Sequence, residues 1–430
     1  MTKTYLWSGA LLLFTSLFAS SPSAVCAVDD GNAQQPGPTL KRKYGRPELT
    51  LPDYVDDGNL YRNVKDMIAL SSYIYEHAAL LEEVDEVKSP WFQFWKQGRP
   101  KNEELHEALS AGKTVGQVLE TCYENIEILQ KKSGDVVDAT KVIANDLDDD
   151  QDTDATRDSV ILAINADEED VDKSCVYAII VNHKLKRVSI VFRGTSNMGD
   201  WETDVLVTQK KVDNPAASLT GIPKLKIHSG FAKSILKDGR IDAILDEVKS
   251  HMQSLKGYRF FVTGHSLGGA LATLFGFYAA ADDDLAKMIY GPVSIFSVAS
   301  PRVGGTAFQE SHKILEQVGR LRHARTHNEN DKVSRVPYLN GNYKHVGLEI
   351  RLRAKRLGLG PILDYPSFAQ WVQVGSSFAE TVLTSLDALR LHGCELARDR
   401  LKFSREHLEN TTLEKEYRRL WGLDFAFPQA

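Results

Sequence analysis

An α/β fold, a mostly parallel sheet covered by helices on both faces with a helical N-terminal extension, is what this 430-residue sequence predicts. Three observations predict it. From residue 158 onward short apolar runs alternate with segments of helical amphipathicity, the pattern of a parallel sheet buried on both faces. The apolar run Phe260-Phe261-Val262-Thr263 passes directly into Gly264-His265-Ser266-Leu267-Gly268, then into the small and apolar positions Ala270, Leu271, Ala272, Leu274 and Phe275. Strand, tight turn and helix in that order make a nucleophile elbow. Finally, the polar turn Asn182-His183-Lys184 joins two β-rich runs, which opens the sheet with an antiparallel pair.

Taken in order, the chain starts with Lys3, an apolar stretch over residues 5–18 and the small-residue site Val25-Cys26-Ala27. Residues 1–27 read as a secretory signal peptide, because the apolar stretch is short for a bilayer span. A secreted or endomembrane-lumenal protein is expected, with organelle targeting as the alternative. Cleavage would leave Cys122, Cys175 and Cys394, an odd number without zinc-type spacing, so ordinary buried cysteines are expected. Residues 28–157 read as an extension. It has a Gly-, Pro- and charge-rich lead-in to about residue 60, then a helix over 64–81 with Met67, Ile68, Leu70, Tyr73, Ile74 and Ala78 on helical spacing. A second amphipathic stretch covers 115–129. The acidic run at 146–154 lacks the glycine and glutamate of an EF-hand, with Thr153 and Ser159 in their places, and reads as a solvated loop. A net charge of −6 gives no reason to expect nucleic acid as a partner.

Residues 158–421 form the expected catalytic domain, followed by a tail at 422–430. Strands are predicted at 160–163, 175–181, 187–192 and 224–228. A helix with Ile235, Ile241, Ile244, Leu245, Val248 and Met252 on its buried side follows. After the elbow come a strand at 292–299, the turn Ser300-Pro301-Arg302-Val303-Gly304-Gly305, a helix over 306–318 and a strand at 321–326.

The chemistry starts from Ser266. The elbow exposes its hydroxyl and directs the Leu267 amide, at a helix N-terminus, toward a developing oxyanion. A serine hydroxyl is a poor nucleophile until a histidine takes its proton, and a carboxylate must fix that histidine's tautomer. Reactive groups of such sheets collect at the carboxyl ends of the strands, in the chain order serine, acid, histidine. Asp331 follows the strand at 321–326 and is the expected acid. Asp282, Asp283 and Asp284 lie in the turn after the elbow helix, and Asp364, Asp387 and Asp399 lack a preceding strand. Downstream stand His345, His392 and His407. His345 lies in a strand-like run and reads as structural; His407, which introduces the last helical segment, is the expected base, with His392 at the end of an apolar helix as the alternative. The one sequon, Asn410-Thr411-Thr412, stands close to His407, where a glycan would crowd a catalytic site.

Residues 158 to about 421 resemble the class 3 lipases, the fungal triacylglycerol lipase-like α/β-hydrolases. The resemblance rests on Val191-Phe192-Arg193-Gly194-Thr195, Asp200-Trp201 with Asp204, His228-Ser229-Gly230-Phe231, the elbow, Pro301-Arg302-Val303-Gly304, and Asn330-Asp331 with Val336-Pro337. It implies that Thr195 shares the oxyanion hole with Leu267, that Asp204 orients the Thr195 hydroxyl, and that the segment with Met198 and Trp201 is a short lid. It also implies a serine carboxylester hydrolase acting on acylglycerols at a lipid–water interface, without metal or organic cofactor. An esterase, a phospholipase, a galactolipase or a silent interaction module are the alternatives. The chain departs from the compact fungal members in the long separation of Asp331 from His407, filled by an insert with a basic run at 351–356 and apolar Ile362, Phe368, Trp371 and Val372.

Overall fold

The computed structural model describes residues 58–86, 100–125, 154–165, 175–194, 208–337, 342–354, 360–366 and 390–421. The segment expected to be a signal peptide, most of the acidic run, the residues from Thr195 through Asp204 and most of the insert lie outside them. Among the described residues no helix is long and apolar enough to cross a membrane.

Among the described residues ten strands form: β1 (Val160–Asn165), β2 (Tyr177–Asn182), β3 (Arg187–Phe192), β4 (Gln209–Asp213), β5 (Lys224–His228), β6 (Arg259–His265), β7 (Val293–Val298), β8 (Leu321–Asn328), β9 (Leu348–Leu352) and β10 (Ile362–Asp364). Eight build one sheet in the order β1-β2-β3-β6-β7-β8-β9-β10. Its centre, β3 through β9, is parallel, and antiparallel pairs close both edges. This is the predicted doubly covered sheet. The strand predicted at 224–228 does not join it, because β5 pairs with β4 in a separate antiparallel hairpin. His345 precedes β9 instead of lying within it.

Period-two alternation divides the core between the two faces. On β6, Phe260 and Val262 face one apolar cluster and Phe261 the other. The first cluster holds α3 (Ser229–Leu236), α4 (Arg240–Met252), the elbow helix α5 (Leu267–Ala281) and α6 (Thr306–Gln317). The second holds α1 (Leu60–Glu86), α2 (Val115–Glu124), α7 (Cys394–Lys402), α8 (Arg405–Glu409) and α9 (Leu413–Leu420). Cys122, Cys175 and Cys394 are all free thiols, the first and last buried.

Helix α1 is buried on nearly every side through Leu81, so its polar residues need internal partners. They have them. Ser71 Oγ lies 3.0 Å from Thr263 Oγ1 on the elbow strand. His77 donates from Nε2 to the Leu109 carbonyl at 2.7 Å, which leaves Nδ1 to accept from the Tyr73 hydroxyl at 2.6 Å. Burial lowers His77 to about 4 and keeps that neutral tautomer. Asp66 pairs with Arg187 of β3 at 2.8 Å, and the Arg187 guanidinium lies 5.3 Å from the Phe261 ring centroid. Replacing Asp66 with alanine strands a buried cation, and chemical denaturation should register a loss of about 3–5 kcal/mol. Exchanging both partners for apolar residues should cost much less.

Candidate active site

The elbow takes the shape its glycines allow. Ser266 sits at φ 58°, ψ −123°, a left-handed conformation uncommon for a residue with a side chain. A Cβ on Gly264 would come within 2.4 Å of the Gly268 carbonyl oxygen, and one on Gly268 within 2.2 Å of the Phe192 carbonyl oxygen. Strand, turn and helix therefore approach with no room for a methyl group. The Ser266 amide donates to the Val298 carbonyl at 3.0 Å, tying the turn to the end of β7. Leu267 opens α5, so its amide lacks an intrahelical partner.

The acid stands where the strand-end rule puts it. Just beyond β8, Asn330 adopts φ 71° and the chain turns so that Asp331 is fully buried. Its Oδ1 accepts from the Val333 amide at 3.0 Å, and its backbone amide donates to the Asn328 carbonyl at 3.1 Å.

The histidine that meets this carboxylate is His392, with Nδ1 at 3.2 Å from both Asp331 oxygens. Donation from Nδ1 leaves Nε2 as the acceptor, the tautomer a general base requires. His392 Nε2 and Ser266 Oγ are both buried and have no hydrogen-bond partner among the described residues. Two such orphans in a native core call for a function that uses them.

Expectation and structure part at His407. That residue lies exposed on α8, with its ring packed over Gly360, where an added Cβ would meet its Nε2 at 2.5 Å. The reason is topological. The chain enters α7 through Leu391-His392-Gly393, and Asn328 at the end of β8 donates from Nδ2 to the Leu391 carbonyl at 3.0 Å, clamping that turn over the acid loop. Residue 407 comes only after α7 has carried the chain away. The crowding argument against a glycan at Asn410 goes with it. The long Asp331-to-His407 separation was the sequence signal that pointed to the earlier histidine.

A second layer went unread in the sequence. His265, the residue before the nucleophile, donates from Nε2 to the His392 carbonyl at 2.9 Å, and the two rings lie 4.5 Å apart. Burial first, then His392, lowers His265 to about 3, so it stays neutral and its Nδ1 accepts from the Tyr75 hydroxyl at 3.2 Å. Tyr75 comes from α1, and a Cβ on Gly194 would lie 2.1 Å from its hydroxyl oxygen. The Tyr75 hydroxyl thus stands between Gly194, the last described residue before Thr195, and the His265 ring that holds the His392 carbonyl. Tyr75→Phe should lower kcat roughly fivefold, the worth of one hydrogen bond, with KM little changed. Steady-state kinetics on a dissolved ester would read this. Leu267 stands as predicted at the helix start, whereas Thr195, Met198, Trp201 and Asp204 lie outside the described residues.

Comparison with known proteins agrees with this architecture. The family described as Lipase (class 3) matches residues 189–341. The chain is 30% identical over 171 residues to the secreted mono- and diacylglycerol lipase A of Penicillium cyclopium, covering 40% of this chain and 50% of that one. It is 28% identical over 201 residues to the chloroplastic galactolipase DONGLE of Arabidopsis thaliana, covering 40% and 39%. With phospholipase A1-II 6 of Oryza sativa subsp. japonica it shares 32% over 199 residues, 42% of this chain and 46% of that one. The matches therefore span half, or less, of these relatives' length.

Proposed function

We propose, from the match of residues 189–341 to the class 3 lipase family, a serine carboxylester hydrolase that cleaves acyl esters of glycerolipids through an acyl-enzyme. The observation that supports it most is the pairing of Asp331 with His392 beside an elbow serine, with Ser266 Oγ and His392 Nε2 left buried and unpartnered.

In this reading Ser266 Oγ attacks the ester carbonyl as His392 Nε2 takes its proton. Asp331 holds the resulting imidazolium, and the Leu267 amide, joined by that of Thr195, receives the oxyanion. The alcohol leaves with the proton from His392. Water, deprotonated by the same nitrogen, then releases the fatty acid and regenerates the serine hydroxyl. The segment with Met198, Trp201 and Asp204 serves as an amphipathic lid over the acyl cleft, apolar toward lipid and acidic toward water. The 1–27 segment directs the chain into the secretory route, as the secreted relative suggests. Neutral acylglycerols are the first substrate class. The galactolipase and phospholipase relatives favour a second, polar glycerolipids, because the same triad serves both and the cleft selects.

Titrating a short-chain triacylglycerol through its solubility limit tests the proposal. Fatty-acid release should be absent in Ser266→Ala and should jump in the wild type as droplets form. A rate that saturates below the limit would make the protein an esterase on dissolved substrates, and equal release by both proteins would reject hydrolysis at Ser266.

A further inference from the structure

The hairpin β4–β5 carries a charge pattern that its fold does not call for. Lys211 of β4 stands directly opposite Lys226 of β5 in the ladder, and both are exposed, as are Lys210 and Lys224. Like charges in direct cross-strand register destabilise a hairpin. Lys224 is neutralised by Asp213, its ladder partner. Among the described residues no carboxylate lies within ion-pairing distance of Lys210, Lys211 or Lys226. In a chain of net charge −6 this is a local inversion of sign.

The hairpin is fixed at the carboxyl edge of the sheet, where the site lies. The Lys226 carbonyl accepts from the Gly305 amide at 2.9 Å, and His228 donates its amide to the Val303 carbonyl at 2.9 Å. These residues follow the end of β7, which holds the Ser266 amide. Lys344 joins through its amide to the Gly304 carbonyl at 2.8 Å, and Arg302 reaches the Pro337 carbonyl at 3.1 Å, just past the acid loop. Burial first, and then Arg302, lowers Lys344 from the usual lysine range. Arg335 is exposed on the same loop. Residues with basic side chains thus occur on the hairpin, on the loop after β7 and on the acid loop, segments that these hydrogen bonds join.

We propose that this basic rim docks the protein on lipid surfaces bearing anionic headgroups, setting the site mouth against the aggregate and biasing hydrolysis toward anionic membranes or droplets. The inference rests on the lipase reading of the site. A lipid surface suits it better than a polyanion, because Lys211 and Lys226 stand side by side on one face of a hairpin tied to the loop after β7, whereas Lys210 alternates to the other face. Each basic side chain at an anionic surface strengthens partition roughly fivefold at low ionic strength, an effect that salt screens.

Sedimentation of the full-length Ser266→Ala protein with phosphatidylcholine vesicles, with and without phosphatidylglycerol, tests it. Binding should require phosphatidylglycerol, fall with added salt and weaken about 25-fold when Lys211→Gln and Lys226→Gln are added together. In a background that retains Ser266, the same lysine pair should hydrolyse a dissolved short-chain ester at the wild-type rate, which reports an intact fold and site. Equal binding to both vesicle types, unchanged binding by the lysine variant, or retention on heparin without preference for phosphatidylglycerol would overturn the proposal. Any of these, with dissolved ester still cleaved, would leave the hydrolase reading standing.

Discussion

His392→Ala should lower kcat for ester hydrolysis by about 10⁶-fold, the scale on which loss of a triad histidine removes concerted proton transfer. His407→Ala should stay within about twofold, the range for an exposed side chain that contacts no catalytic group. The contrast follows from position. His392 gives Nδ1 to a fully buried carboxylate and keeps Nε2 free of any partner among the described residues, whereas His407 packs on Gly360 at the surface. Active-site titration and steady-state rates on one dissolved ester would compare them. A severe His407 effect beside a mild His392 effect would reverse the assignment.

Asp331→Asn should cost about 10⁴-fold in kcat while leaving the fold in place. The amide can keep one oxygen for the Val333 N–H, now 3.0 Å from Oδ1, so the acid loop retains its turn. Its NH₂ group, however, donates toward His392 Nδ1 and moves the ring proton to Nε2. A protonated Nε2 cannot accept from Ser266. Thermal melting and a pH–rate profile separate this from unfolding: the melting temperature should hold while the rate falls across the whole pH range.

These two substitutions also mark how far residue patterns carried. Ser266 and its glycines were readable because the elbow's sterics forbid side chains at two fixed positions, and Asp331 because it follows a buried strand on the correct side of the sheet. Strands β3, β6 and β7 were readable from their apolar runs, whereas β8, with Arg322, His323 and Arg325, and β9, with Glu349 and Arg351, carry no such run. Hairpin β4–β5 was not readable, since the partly buried Gln209 and the exposed Lys210 and Lys211 give β4 no apolar run to announce it. The choice of histidine depended on where β8 and α7 meet, a long-range fact carried by Asn328 and the turn at Leu391, Gly393 and the residue between them. Helix α1 was predicted, yet nothing local told that Tyr75 would reach His265, 190 residues later in the chain. Tyr75 occurs in a run of mostly buried residues and looks like one more core aromatic.

The most direct test of the central claim is covalent titration with an alkyl p-nitrophenyl phosphonate. Ser266 Oγ would attack phosphorus and expel p-nitrophenolate, leaving a stable phosphonyl ester. The account predicts one equivalent of p-nitrophenolate per chain and an adduct that peptide mass spectrometry places on Ser266. His407→Ala should label at the wild-type rate and His392→Ala should fail to label. An adduct on another residue, or labelling that survives loss of His392 and disappears with His407, would contradict it.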